Sequence, residues 1–144
     1  MPRLPAGSGL GFATVLALSG MAGPAAAERV QVTGELVDTW CAISGIMYAY
    51  GTAHHQCAVW CAVGGIPVSL KADDGTFYMV LRIEGDSMSV ANPKLVTIQG
   101  HRVTVDGDLH ARDGVNYLLV DQVATDAGIV NLTHAEHGVV PFGE

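Results

Sequence analysis

Short runs of alternating apolar and polar residues are the feature that most limits what this chain can fold into. The first run, Val30–Asp38, has the alternation of a half-buried strand. Two further runs, Ile66–Lys71 and Thr76–Arg82, are joined by Asp73-Asp74-Gly75, which is a turn signal. These two runs therefore predict a β-hairpin with an exposed tip.

The second half of the chain continues the same pattern. His101–His110 alternates and contains Gly107, which marks a bulge or bend, and Val115–Val123 predicts a fifth strand. Pro93–Ile98 predicts one helical turn between the third and fourth strands, and Ile129–Leu132 is a strand-like piece in the tail. Five short strands predict an all-β fold, a small closed barrel. The residues expected to be buried together inside it are Val103, Val105, Leu118 and Val120.

The segment between the first two strands contains a predicted helix. Thr52–Val63 has no glycine or proline, and it is followed by Gly64-Gly65 and Pro67, which end a helix. Thr52 is the predicted N-cap, because its hydroxyl can accept a hydrogen bond from a backbone N–H of the first turn. The sequence thus predicts a short helical insertion in a β protein.

All three cysteines of the chain lie in or near this helix. Steps of three and four residues return to the same helical face, so His54, Cys57 and Cys61 are predicted to lie together. Cys41 has to join them from the preceding loop, whereas His55 points to another face. The sequence therefore predicts a cluster of sulfur and imidazole groups.

Two parts of the chain resemble a known fold family. The run Gly100–Val123 looks like the last two strands of the OB-fold in small exported domains, and Val30–Asp38 resembles their first strand. The resemblance implies a five-stranded OB-fold-like barrel in which the cysteine-containing segment, at about residues 39–65, is an insertion between the first two strands.

Some uncharacterised exported proteins, of a periplasmic type, are similar within this insertion. They have an Asp-x-x-Cys step, which here runs from Asp38 to Cys41. They also have a His-x-x-Cys-x-x-x-Cys helix, which here runs from His54 to Cys61. The resemblance implies a fold and brings no activity with it.

The first 27 residues have the pattern of a secretory signal peptide. Arg3 precedes the apolar run Leu10–Met21, and Ala25-Ala26-Ala27 forms a small-residue cleavage site. We therefore expect one OB-fold-like domain of residues 28–144, located in the periplasm or secreted. The apolar run is shorter than the roughly 20 residues of a membrane span, so we expect no transmembrane segment after cleavage.

The cysteine count raises the question of what the cluster holds. Exported proteins meet an oxidising compartment in which cysteines pair, and three is an odd number. Thiolate and imidazole donors together suit soft metals, of which copper is our first expectation and zinc or iron, including haem, the weaker ones. The predicted metal ligands are Cys41, His54, Cys57 and Cys61, with Met47 and His55 as weaker candidates.

The alternative is a structural disulfide. Cys41 could pair with Cys57 or Cys61, which would close the loop onto the helix and leave one cysteine over. A bond between Cys57 and Cys61 would be strained, and it would give the cluster a redox role. In each case Trp40 and Trp60, which adjoin cysteines, are expected to pack over the cluster and shield it.

Composition narrows the functional classes. The formal net charge is −7 and no basic stripe is present, so nucleic-acid binding is not expected. No nucleophile elbow, phosphate loop or catalytic triad pattern stands out, which favours a protein that is not an enzyme. Two functions remain: an exported module that handles a soft metal or electrons, or an interaction or accessory-subunit domain with a disulfide-stapled insertion. Both imply a protein partner in the exported compartment.

Overall fold

The computed structural model describes residues 27–46 and 50–134. The predicted signal segment up to residue 26, Met47 and the chain beyond residue 134 lie outside the described residues. The elements in chain order are β1 (Glu28–Asp38), α1 (Thr39–Ser44), α2 (Gly51–Val63), β2 (Val68–Ala72), β3 (Phe77–Ile83), α3 (Pro93–Thr97), β4 (Arg102–Arg112) and β5 (Val115–Asp126). Within the described ranges, no helix is long and apolar enough to cross a membrane.

The five strands close into a barrel. Their order is β1-β2-β3-β5-β4, and β4 returns to pair with β1. All neighbouring strands are antiparallel except β3 and β5, which are parallel. The predicted fold class is therefore confirmed, as a closed five-stranded β-barrel with a short helical insertion. It is consistent with the OB-fold-like domain that the resemblance implied.

Alternate residues of the strands fill the barrel. Val103 and Val105 of β4 and Leu118 and Val120 of β5 are all buried in one hydrophobic core, as predicted. Burying a valine or leucine side chain contributes about 1.5–3 kcal/mol, so these positions supply much of the stability of the frame. The turn Asp73-Asp74-Gly75 lies exposed at the tip of the β2–β3 hairpin, also as predicted.

Two glycines allow the sheet to curve into a closed barrel. The β4–β5 register shifts at Gly107, where the predicted bulge is confirmed, and a Cβ there would lie 2.3 Å from the Leu119 carbonyl oxygen. In β1, a Cβ on Gly34 would lie 2.2 Å from the Lys71 carbonyl oxygen. Gly34 pairs with β2 on one side and β4 on the other, so the close approach of three strands requires glycine.

The segments at the edge of the barrel differ from the sequence prediction. β2 begins at Val68 and not at Ile66, because the two residues before it connect the strand to α2. Pro67 within this connection accepts a hydrogen bond at its carbonyl oxygen from Thr39 N, at 2.9 Å. Ile129–Leu132 forms no strand, and its Asn131 carbonyl oxygen accepts a hydrogen bond from Thr52 N of α2.

Candidate metal centre

The helix that carries two of the cysteines begins differently from the prediction. α2 begins at Gly51 with Tyr50 as N-cap, so the prediction of Thr52 as N-cap is wrong. Thr52 lies buried inside the first turn, and its backbone N donates to the Asn131 carbonyl oxygen at 2.9 Å. Gly51 has a φ of 66°, and a Cβ on it would lie 2.3 Å from that same oxygen. Glycine at this position therefore lets the tail contact the start of α2.

Residues distant in sequence cap α2, because its own N-cap residue makes no side-chain hydrogen bond. Ala53 N donates to the Thr133 hydroxyl oxygen at 2.8 Å, and Gly51 N donates to a Glu35 carboxylate oxygen at 2.7 Å. Asn131 donates its side-chain amide to the other Glu35 oxygen at 3.1 Å. The start of α2 is thereby fixed to both β1 and the tail.

Asp38, the last residue of β1, positions the first cysteine. Its Oδ1 accepts a hydrogen bond from Cys41 N at 2.9 Å, which makes it the N-cap of α1. Cys41 therefore lies in a short helix and not in the loop that the sequence predicted. Gly45 ends this helix in the left-handed conformation, with a φ of 71°. The Asp-x-x-Cys step of the sequence is thus a helix cap.

The second oxygen of Asp38 holds the predicted histidine ligand. Asp38 Oδ2 lies 2.7 Å from His54 Nε2, and the two side chains are 0% and 2% exposed. Removing one partner of a buried hydrogen bond costs about 1–3 kcal/mol, because a polar group is left buried without that contact. This contact therefore connects the end of β1 to α2 and fixes the orientation of the imidazole.

The three thiols lie beside this pair. A ring nitrogen of His54 and the sulfurs of Cys41 and Cys57 all lie within 4.8 Å of one another. A carboxylate oxygen of Asp38 and the sulfurs of Cys41 and Cys61 form a second such group. The Cys41 sulfur belongs to both groups, so the structure brings together all four residues that the sequence singled out. Such a cluster could hold a metal ion.

The burial of α2 explains the position of the sulfurs. His54, Ala58 and Ala62, at intervals of four residues, form the buried stripe of the helix. Cys57 and Cys61 each precede a member of this stripe by one position and are half-buried, whereas Cys41 is buried. The cluster therefore consists of one buried cysteine and two half-buried cysteines.

The cysteines are free thiols in this structure. The Cys57 and Cys61 sulfurs lie 4.0 Å apart, whereas a disulfide bond is about 2.05 Å long. Two sulfur ligands of one tetrahedral ion with bonds of about 2.3 Å lie about 3.8 Å apart. The observed separation fits a shared ion, and the disulfide pairings expected as the alternative are not formed.

The surroundings of Cys41 and Cys61 favour the protonated form of these two thiols. Burial, followed by the hydrogen bond and charge of Asp38, raises the pKa of Cys41 to about 12. Burial and the Asp38 charge also raise the pKa of Cys61, and Cys57 adds to the effect. A bound cation would have to displace these protons, and its positive charge would stabilise the thiolates.

His55, one of the two weaker candidates, does not belong to the cluster of the described residues. His55 is half-buried, and its Cδ2 would lie 3.4 Å from a Cβ added to Gly100, which precedes β4. Burial lowers the pKa of His55, and the nearby His101 lowers it further. Met47 lies outside the described residues, so its relation to the sulfurs stays a prediction.

The two tryptophans do not shield the cluster. Trp40 is 62% exposed and Trp60 is 67% exposed, so the shielding prediction is wrong. The insertion fills the space against the barrel with small residues such as Ala58 and Ala62, which turns the large side chains outward. We call the exposed side chains the apolar surface of the insertion, and its members are Trp40, Ile43, Ile46, Trp60 and Val63.

The sequence segment that contains the cysteines has no formally charged side chain, a signal that the sequence prediction missed. Residues 39–70 contain no Asp, Glu, Lys or Arg, although the chain as a whole has a net charge of −7. Asp38 is therefore the nearest preceding charged residue, and it is buried at the site. The acidic charge of the described protein lies on the barrel and its turns, and the insertion is neutral.

Comparisons with models of protein families, with curated proteins and with solved structures found no match to this chain. The function has to be inferred from the geometry of the cluster and its surroundings.

Proposed function

We propose that the protein binds one soft metal ion at this cluster. Cys41, Cys57 and Cys61 would supply thiolate ligands, and His54 would supply an imidazole ligand. The observation that carries the proposal is that sulfur and nitrogen atoms from two helices lie within 4.8 Å of one another, around the buried Cys41 sulfur. Thiolate and imidazole ligands select soft ions such as Cu(I) and Zn(II) over hard cations.

Cu(I) is the ion that we propose first. Cys57 and Cys61 are half-buried, so an ion bound to them would be accessible to another soft donor and could be exchanged. Structural zinc sites are closed on all sides by four protein ligands. The number of available donors supports Zn(II) as the second candidate, and the experiment below distinguishes the two ions.

Asp38 would serve this site without being a ligand. Histidines that bind metals commonly donate their second N–H to a carboxylate, which fixes the ring and raises its basicity. The buried contact between Asp38 and His54 is of this kind. Since Asp38 also caps the helix of Cys41, it would fix the relative positions of two proposed ligands.

The proposed setting is an exported protein. The signal-like segment of residues 1–27 supports secretion of a mature domain of residues 28–144, in the periplasm or outside the cell. We propose that the module stores or delivers its ion there, or passes electrons through it, and that it has a protein partner.

The apolar surface of the insertion supports a protein partner over a membrane. Helices that bind membrane surfaces carry Lys or Arg on their polar face, and this insertion carries neither. The acidic barrel would also be repelled by anionic lipids. A protein with its own apolar surface would bury Trp40 and Trp60 without desolvating a charge, and it would meet the half-buried sulfurs of Cys57 and Cys61.

Competition with a chromophoric chelator tests the metal proposal. The purified, reduced protein under anaerobic conditions should take up one Cu(I) per chain, and Cys57→Ser should lower the affinity by about 100-fold or more, because a hydroxyl is a poor ligand for Cu(I). His54→Gln should also weaken binding. His55→Gln is the matched control, because it changes the neighbouring residue outside the cluster, and its affinity should equal that of the wild type.

Three outcomes would change the proposal. If wild-type protein took up no copper or zinc above the Cys57→Ser level, metal binding would be refuted. If His55→Gln were the damaging variant, the assigned helix face would be wrong. Tight zinc uptake with weak copper uptake would replace Cu(I) by Zn(II).

An interaction domain without a metal is the second candidate, and the exposed Trp40 and Trp60 favour it. In that case the insertion would be the binding surface, and a disulfide formed on export would stiffen it. Thiol titration of the protein isolated without reductant distinguishes the candidates. One free thiol per chain and no bound metal support the interaction domain, whereas three thiols with stoichiometric metal support the metal centre.

A further inference from the structure

A second concave site lies on the outer surface of the barrel. Its volume is about 420 Å³, and none of its lining residues belongs to the metal cluster. The lining residues are Leu81, His110, Ala111, Arg112, Tyr117 and Leu119. We call this site the β5 pocket, and its size falls within the roughly 300–1,000 Å³ of small-molecule sites.

The alternation of the strands builds this pocket. Leu118 and Val120 point into the core, so Tyr117 and Leu119 point to the outer face of β5. His110 lies directly opposite Tyr117 in the β4–β5 pairing, and residues directly opposite each other share a face. Arg112 lies two positions further along β4 and therefore also lies on this face.

A bulge in β3 forms the apolar side of the pocket. The β3–β5 register shifts between Val80 and Arg82, so Leu81 is the extra residue and is turned outward, 38% exposed. Bulges re-aim a side chain and are common beside functional sites. Leu81 and Leu119 thus provide an apolar wall beside the polar atoms of Tyr117 and His110.

Arg112 gives the pocket a positive charge that the protein does not neutralise. Every other basic side chain of the described ranges has a partner: Arg29 with Asp108 and Asp121, Arg82 with Asp121, Lys94 with Glu84, Arg102 with Asp73, and Lys71 with the Tyr50 ring. Within the same ranges Arg112 forms neither an ion pair nor a ring contact. In an acidic chain, an unpaired guanidinium beside a pocket is available to an external acid group.

We propose that the β5 pocket binds a small organic acid with a flat apolar body. The acid group pairs with Arg112, whose planar guanidinium suits a carboxylate, and Tyr117 and His110 offer further hydrogen bonds. The apolar body lies on Leu81 and Leu119 and against the Tyr117 ring. The carboxylates of Asp108 and Asp121 do not compete for Arg112, because Arg29 and Arg82 hold them.

A titration with two matched probes tests this site. 2-Naphthoate carries the acid group, and 2-naphthalenemethanol is its neutral counterpart. In ¹H–¹⁵N spectra of the protein, naphthoate should shift the amide signals of Leu81, Arg112, Tyr117 and Leu119. It should bind at least about tenfold more tightly than the alcohol, as expected for one charge-assisted contact.

Two variants make the proposal falsifiable. Arg112→Gln should remove the preference for the acid and leave the weak binding of the alcohol unchanged. Arg102→Gln is the control, because it makes the same charge change at an arginine that is already paired with Asp73. Absence of shifts at several millimolar naphthoate, shifts confined to the apolar surface of the insertion, or an unchanged preference in Arg112→Gln would each overturn the proposal. The metal affinity of the protein does not enter any of these outcomes.

Discussion

At the residue scale, Asp38 is the residue that connects the two helices of the candidate metal site. One of its oxygens caps the helix of Cys41, and the other holds His54 in a contact that is fully buried. Its charge also contributes to the raised pKa values of Cys41 and Cys61. The carboxylate at this position therefore stabilises the fold and also orients two of the proposed ligands.

The two functions of Asp38 can be separated by substitution. Asp38→Asn keeps an oxygen that can cap α1, but it replaces the charged acceptor at His54 by an amide. We expect Cu(I) affinity to fall about 10–100-fold, the usual cost of losing the partner of a metal-binding histidine, while the fold is retained. The chelator competition assay measures the affinity, and circular dichroism follows the fold.

Asp38→Ala provides the comparison. It removes both the helix cap and the buried contact to His54, so it should lower the free energy of unfolding by about 2–4 kcal/mol in addition to weakening metal binding. If Asp38→Asn bound metal as tightly as the wild type, Asp38 would be a structural residue only.

The residues of the site were partly predictable. Spacing alone brought His54, Cys57 and Cys61 to neighbouring positions, because the helical period depends only on local geometry. The contact between Asp38 and His54 depends on how α2 packs against the end of β1, which no local pattern encodes. The exposure of Trp40 was mispredicted for the same reason, since sequence adjacency to a cysteine does not determine which way a side chain points.

At the element scale, α2 depends on a segment that is distant in sequence. Its first-turn N–H groups bind Glu35, Asn131 and Thr133, and its own N-cap residue provides no side-chain hydrogen bond. The Thr133 hydroxyl also donates to the Tyr50 carbonyl oxygen at 3.3 Å. The tail therefore stabilises the helix that carries most of the proposed ligands.

Thr133→Val tests this dependence, because it keeps the side-chain shape and removes the hydroxyl. We expect the free energy of unfolding to fall by about 1 kcal/mol, the typical cost of a lost helix cap. Amide hydrogen exchange should accelerate in α2 and not in β4 or β5. Urea denaturation and hydrogen exchange measure the two effects.

Thr97→Val is the matched control for this change. The Thr97 hydroxyl donates to the Pro93 carbonyl oxygen of its own helix at 2.8 Å and caps no N–H group. Its loss should change stability by less than about 0.5 kcal/mol. Equal effects of the two variants would mean that the tail contact is not a cap in solution.

The strands were predicted from the sequence more accurately than the helices were. The strands were predictable because each has its own alternation and turn residues, and the Gly107 bulge had a local signal. α1 was missed because six residues are too few to show a helical period. The start of α2 was misplaced because Thr52 is a good local cap, whereas the actual capping groups come from the tail.

At the scale of the whole molecule, the charged side chains lie on the barrel, and some of them connect its elements. The described acidic groups beyond Asp38 lie on the barrel strands and on the segments that connect them, and several of them are paired across strands. Glu84, at the end of β3, accepts a hydrogen bond from Val123 N of β5 at 3.1 Å and also pairs with Lys94 of α3. It therefore holds three elements together at one end of the barrel.

The environment of Glu84 predicts how stability depends on pH. The pairing with Lys94, followed by the Val123 hydrogen bond, lowers the pKa of Glu84. A carboxyl group with a lowered pKa in the folded state binds fewer protons than in the unfolded state. Its contribution to stability is therefore complete above the unfolded value of about 4.3 and is lost as the pH falls through the lower folded value.

Glu84→Gln isolates this contribution. The side chain is 34% exposed, so solvent screening limits the expected loss at pH 7 to about 0.5 kcal/mol. The difference in the free energy of unfolding between wild type and variant should shrink as the pH falls below about 4.3 and vanish at lower pH.

The control Asp113→Asn removes an equal charge at an exposed turn, and it should show no such dependence. Any effect of the reduced net repulsion in acid is common to both variants. A Glu84→Gln difference that stayed constant from pH 7 to pH 3, measured by urea denaturation, would show that the hydrogen bonds and not the charge of Glu84 hold this end of the barrel.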